Sequence, residues 1–269
     1  MSTDDPHSNH PLDQALAVML AEPEDDEARL RYYRVLAESE LFVLLEAEAE
    51  KGSMSPLTFP LESGPVVLAF SSEERLVAFT GMASPYAALP GRVIAAQLAG
   101  QGIGLGVNLG SGADWLMADY AVDWLAGLLG SVPSETRGLP VSMEGPGEID
   151  PRVAEALAVA LSGAGGLAAG AVLARAEWAD GSEGLLLAYL GASEASESAL
   201  ARALAEAIAF SGLEEGLLDV VFLEPEDATA RHLLAIGQPL RLPEPPKAVP
   251  ERAPPPPPGM DPAKPPRLR

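Results

Sequence analysis

The sequence contains no cysteine, which removes disulfides, thiolate zinc sites, iron–sulfur ligation and a cysteine nucleophile together. Histidine is nearly as scarce: only His7, His10 and His232 occur, so most imidazole acid–base and metal chemistry has no carrier. Positive charge is short as well. Against 39 Asp and Glu stand 17 Lys and Arg, a net charge of -22, and that imbalance makes a nucleic-acid backbone or an anionic membrane a poor partner. Long apolar runs are missing: the most apolar stretch, 163–174, stops at Arg175, well short of the roughly 20 residues of a spanning helix. Residues 1–9 have neither the basic nor the apolar region of a secretory signal. The chain is therefore expected to begin near Met1 and to work in the cytoplasm.

What is present suffices for a core, since 48% of the 269 residues are hydrophobic and 21% charged. Charge and proline divide the chain. Residues 1–132 carry 19 acidic and 6 basic residues, 133–242 carry 17 and 6, and 243–269 carry 3 and 5, giving -13, -11 and +2. Twelve of the 26 prolines lie in the last segment, which has no apolar periodicity and is expected to be a disordered tail. The expected fold is α+β (α/β-like): two small mixed-sheet domains with flanking helices. They cover 1–132 and 151–242, with a linker at 133–150 in which a strand can start from 139.

Local patterns supply the elements. Leu12, Leu16, Met19 and Leu20 recur at helical spacing behind Pro11, a second helix covers 27–38, and 41–45 and 66–70 read as strands. Ser71 with Glu74 makes a capping box for a short helix. Pro90 opens a helix ending at Gly100, 103–108 is a strand, and 113–129 reads as an amphipathic helix. Further on, Asp150 and Pro151 start a helix to 162, and 168–178 with 183–190 form a hairpin around Asp180-Gly181. A helix over 196–210, a strand over 217–223, a helix capped by Asp227 and stopped by Gly237, and an edge strand over 238–242 complete the reading.

Four stretches carry a resemblance: Pro11-Leu12-Asp13-Gln14-Ala15-Leu16, Glu40-Leu41-Phe42-Val43-Leu44, the run from Val66 to Glu74, and the run from Gly102 to Gly112. They resemble the N-terminal domain of the SseB family of bacterial proteins, with Leu109 standing where the family has a proline. The layout after 139 is similar to that of the family's C-terminal domain. The resemblance implies a cytoplasmic bacterial protein of undefined biochemical role, one member being named for enhanced serine sensitivity, and it supplies no catalytic residues. The same name belongs to a type III secretion translocator, and a secretion-associated role is the reading that name suggests. Such a component would need apolar or coiled-coil segments that this chain lacks.

Among candidate sites, Asn108, Ser111 and Asp114 share a predicted strand-to-helix turn, a place where open sheets put ligand groups, and they form the candidate surface for a protein or small ligand. Helix capping is the competing role for Ser111 and Asp114. The glycines of 100–112 match neither the dinucleotide fingerprint nor a P-loop, and 163–168 fits the looser fingerprint in the reverse structural context. Asp114, Asp119 and Asp123 are the carboxylates that a metal-dependent hydrolase would use, although only Asp119 and Asp123 share a helix face. His232 has no nucleophile to serve, and His7 with His10 gives too few ligands for a closed metal site. The run Pro262-Ala263-Lys264-Pro265-Pro266-Arg267 fits the pattern read by polyproline binders. The same tail is also suited to fold back on the acidic domains. The expected function is non-catalytic binding of a protein or small ligand, with no cofactor, metal, nucleic acid or membrane.

Overall fold

The computed structural model describes residues 10–48, 54–130, 140–213 and 217–245. His7, the first part of the expected linker and the tail prolines beyond Pro245 lie outside them. Helix α1 (Pro11–Ala21) begins behind His10, whose Nδ1 accepts the Leu12 amide at 3.2 Å. It buries Leu12, Ala15, Leu16 and Met19. Helix α2 (Asp26–Glu38) is capped by Asp25, which accepts the Glu27 amide at 2.9 Å, and turns Tyr32, Tyr33 and Leu36 inward. There follow β1 (Glu40–Leu44), β2 (Thr58–Leu61), β3 (Gly64–Phe70), α3 (Glu73–Thr80), β4 (Tyr86–Pro90), α4 (Gly91–Leu98), β5 (Gly104–Val107), β6 (Trp115–Met117) and α5 (Asp119–Gly130).

These strands make one mixed sheet in the order β4-β1-β3-β5-β6, with β2 also on β3. Only β3 and β5 run parallel, from Val66 opposite Gly104 to Ala69 opposite Val107. Both faces of the sheet are covered. Val67 and Ala69 enter the core built with α1, α2, α4 and α5, whereas Val66, Leu68 and Phe70 enter a smaller core with Leu44 and Leu76. This two-sided burial is why β3 reads as a continuous apolar run instead of an alternation. Each large side chain so buried contributes about 1.5–3 kcal/mol.

A second mixed sheet is formed by β7 (Ser142–Glu144), α6 (Pro151–Ser162), β8 (Gly170–Glu177), β9 (Glu183–Leu190), α7 (Glu194–Ala209), β10 (Leu218–Leu223), α8 (Ala228–Ile236) and β11 (Gln238–Leu240). Its order is β10-β9-β8-β11, with β7 also on β8. The β8–β9 hairpin forms as expected around Asp180-Gly181, and β10 lies parallel to β9. Helices α6 and α7 cover one face over Leu173, Leu187 and Tyr189, and α8 covers the other over Val172 and Ala188. The fold is thus α+β with two mixed sheets. The halves touch: Phe210, at the end of α7, is buried in the core of the first sheet, and Arg92 of α4 pairs with Glu206 of α7 at 3.2 Å.

Several elements depart from the sequence reading. The helix expected over 113–129 starts only at Asp119, because Trp115–Met117 pairs antiparallel with β5. The short β2 and β4 were not expected; β2 is mostly exposed and β4 is an edge of alternating exposure. Ser72, not Ser71, caps α3, with its hydroxyl accepting the Arg75 amide at 3.3 Å. Gly237 does stop α8 as expected, in an extended conformation. A Cβ there would lie 2.6 Å from Val172 Cγ1 and 2.8 Å from the Leu173 carbonyl oxygen, so glycine is what lets the chain close onto β8. No helix among the described residues is long and apolar enough to cross a membrane.

Candidate functional site

The parallel strands β3 and β5 end side by side, and the residues just past their carboxyl ends are polar although buried. Asn108 follows β5 and is 1% exposed. Its amide donates to the Ala69 carbonyl at 2.9 Å, its Oδ1 accepts the Ser71 amide at 2.8 Å, and its Nδ2 reaches Asp13 Oδ1 at 3.4 Å. It is the sole non-glycine residue with positive φ, 53°, among those described. Asparagine tolerates this left-handed conformation better than most side chains do.

Arg75 enters the same cluster from α3. Its Nη1 donates to Asp13 Oδ1 at 2.8 Å and to Ser71 Oγ at 3.0 Å, and its Nη2 donates to Asp13 Oδ2. The two charged side chains are only 8% and 10% exposed. Asp13 occupies the first turn of α1, where a negative charge suits the helix dipole. Asp13, Ser71, Arg75 and Asn108 therefore tie α1, α3 and the ends of β3 and β5 into one polar knot. Two neighbours feel it. Burial lowers the His10 pKa, with Asp13 opposing and Arg75 adding to the shift. Burial also raises the Tyr32 phenol far above its ordinary range, helped by Tyr33 and Asp13.

Beside the knot lies a depression of about 180 Å³, lined by Ala78, Phe79, Leu109 and Gly110 together with the polar Glu74, Arg75 and Ser111. Phe79 is 41% exposed, and its ring sits 5.3 Å from that of Phe70. Of the three residues singled out in the sequence, Ser111 lines this depression, and Asn108 lies in the knot that holds Arg75 at its edge. Asp114 turns back into the β5–β6 loop, where its Oδ1 accepts the amides of Ser111 and Gly112 at 3.0 and 3.2 Å. The turn therefore joins two strands rather than a strand and a helix, and the capping role expected for Ser111 and Asp114 becomes loop closure. Asp13 and Arg75 were not singled out, and Ser71 was read only as a helix cap. For Asp13 the signal was an ionisable residue in the first turn of a largely apolar helix.

The other candidates resolve separately. Gly104 and Gly106 serve strand packing: a Cβ on the first would lie 2.5 Å from the Met117 carbonyl oxygen, and on the second 2.7 Å from Leu68 Cδ2. Asp119 accepts the Tyr120 amide and Asp123 the Gly100 amide, so they and Asp114 serve three different backbone sites. Among the described residues there is no group of three or more metal-ligating side chains. His232 is exposed on α8.

The fold and the site define an α+β protein whose mixed sheet presents a small, partly apolar depression, braced by a buried ion pair, at the ends of its two parallel strands. Residues 12–124 match the family model of the SseB protein N-terminal domain, so the half of the chain that holds the first sheet is similar to that domain. All four residues of the knot fall within the match. No curated protein and no solved structure matches the chain.

Proposed function

We propose that this chain is a non-catalytic binding module of the bacterial cytoplasm that takes an apolar side chain of a protein partner into the depression beside Arg75. The observation that carries the reading is the combination of a half-exposed Phe79 in that depression with a rigid polar base beneath it. A preformed shape with an apolar lining and few polar groups is the usual form of a recognition pocket, and its small volume suits one side chain rather than a cofactor. The polar knot supports binding rather than acid–base catalysis, because the charge of Arg75 is met by Asp13 within the protein. Residues 108–114 contribute through Ser111, with Asn108 holding the loop and Asp114 closing it.

Filling the depression with Ala78→Trp tests the reading. This position is exposed on α3, so the variant should keep its fold by circular dichroism and melting temperature. Affinity capture from native lysate should then lose the partner held by the unaltered chain. Unchanged capture by a folded Ala78→Trp chain refutes the site.

A further inference from the structure

A second surface lies on α5 and does not use the depression. Tyr120 is 75% exposed and Trp124 is 44% exposed; four residues apart, they stand one above the other on the same helix face. The Trp124 ring rests at 5.4 Å on that of Tyr33 from α2, which holds it in place while leaving its outer side open. Asp119 and Asp123, also four apart, form the adjoining exposed row. Each accepts a backbone amide on its Oδ1, and both carboxylates remain at the surface. Arg29 of α2, whose charge is felt by the Tyr33 phenol, is paired with Asp26. Two open aromatic rings beside two carboxylates recognise a particular chemistry. Proline rings stack on aromatic faces in the extended polyproline conformation, and a lysine or arginine set among them meets the acidic side.

We propose that the occupant of this face is the chain's own segment Pro262-Ala263-Lys264-Pro265-Pro266-Arg267. Charge selects it: residues 243–269 carry 5 basic and 3 acidic residues, whereas residues 1–132 carry 6 basic and 19 acidic. A second copy placed face to face would set Asp119 and Asp123 against like charges. Length permits it. The chain leaves the described body at Pro245, which packs on Gly166, and from there to Pro262 an extended polyproline segment spans roughly 50 Å at about 3.1 Å per residue. Around a compact chain of this size, roughly 45 Å in diameter, that length follows the surface about a third of the way round. Docked, the tail covers the aromatic pair within its own molecule.

The absence of cysteine makes the test direct. Ala263→Cys gives the full chain one thiol for a nitroxide spin label, and its three tryptophans give three indole N–H signals in a nitrogen-labelled sample. The spin label should erase the Trp124 signal and spare that of Trp178. Adding Lys264→Glu and Arg267→Glu to the labelled chain, which changes none of the described residues, should restore the Trp124 signal. Raising the ionic strength from about 0.1 M to about 1 M, which shortens the Debye length from roughly 10 Å to roughly 3 Å, should restore it in part. An undiminished Trp124 signal overturns the proposal, as does a loss that persists after charge reversal. In a mixture of spin-labelled chains with separate nitrogen-labelled ones, loss of the Trp124 signal would identify the tail of a second copy as occupant and overturn docking within one chain.

Discussion

Arg75 and Asp13 show how much depends on single side chains here. Each is charged, nearly enclosed and met by the other, with Ser71 and Asn108 taking up further hydrogen bonds. Burying the pair costs desolvation that its attraction roughly offsets, but removing one partner leaves the other charge stranded, at about 3–5 kcal/mol. Arg75→Met should therefore lower the urea midpoint by an amount corresponding to that range. The double variant Asp13→Leu with Arg75→Met should recover most of the loss. A double variant as weak as the single one would mean that Arg75 acts through something other than Asp13. Asn108 is different in kind, because its value lies in a backbone conformation and in two bonds that clip β5 to β3.

Helix α1 starts behind a cap that His10 can form only in its neutral state. His10 Nδ1 accepts the Leu12 amide, and a protonated imidazole has no lone pair there to give. Burial lowers the His10 pKa below its ordinary 6.5, so on acidification the unfolded chain takes up this proton before the folded one does. The contribution is complete above the ordinary histidine range and is lost as pH falls through that range toward the lower folded value. In His10→Asn, a good cap with no proton to gain, stability measured by denaturant titration should fall less between neutral pH and pH 5 than in the unaltered chain. Identical pH profiles would remove His10 from the account. The same element logic explains β6. Trp115, Leu116 and Met117 satisfy a helical pattern in sequence, yet their backbone groups pair with β5, and α5 waits until Asp119.

The two sheets share more than a chain. Phe210 comes from the half that holds the second sheet and is 6% exposed in the core of the first, while Arg92 and Glu206 bridge the same junction. Removing a buried phenylalanine ring costs about 3–5 kcal/mol, and here the loss falls on the contact between halves. The unaltered chain should melt in one calorimetric transition. Phe210→Ala should lower it and separate it into two, the half carrying Arg75 unfolding apart from the half carrying Tyr189. One undivided transition in the variant would show that the junction does not couple the halves. The net charge of -22 belongs to this picture as well: both halves are strongly acidic, and the tail is the part of the chain with the opposite sign.

Much of this organisation was legible in the residues alone wherever a local signal decided it. Pro11 and the Asp150-Pro151 pair start helices because a missing amide or a side-chain acceptor acts within one turn. Asp180-Gly181 turns the β8–β9 hairpin for a similarly local reason, Gly181 having φ of 81°. The absence of cysteine, the three-part charge division and the resemblance over the first half also needed no coordinates. The knot was not legible. Its members Asp13, Arg75 and Asn108 are separated by 62 and 95 positions from one another's partners, and no pattern of period 2 or 3.6 relates residues so far apart. Nor does any local rule show that Trp115 should pair with a neighbouring strand or that Phe210 should cross to the other core. Propensity and capping act over a few residues, whereas burial and strand pairing join whatever the folded chain brings together, and it is that second kind of contact that builds the depression beside Arg75.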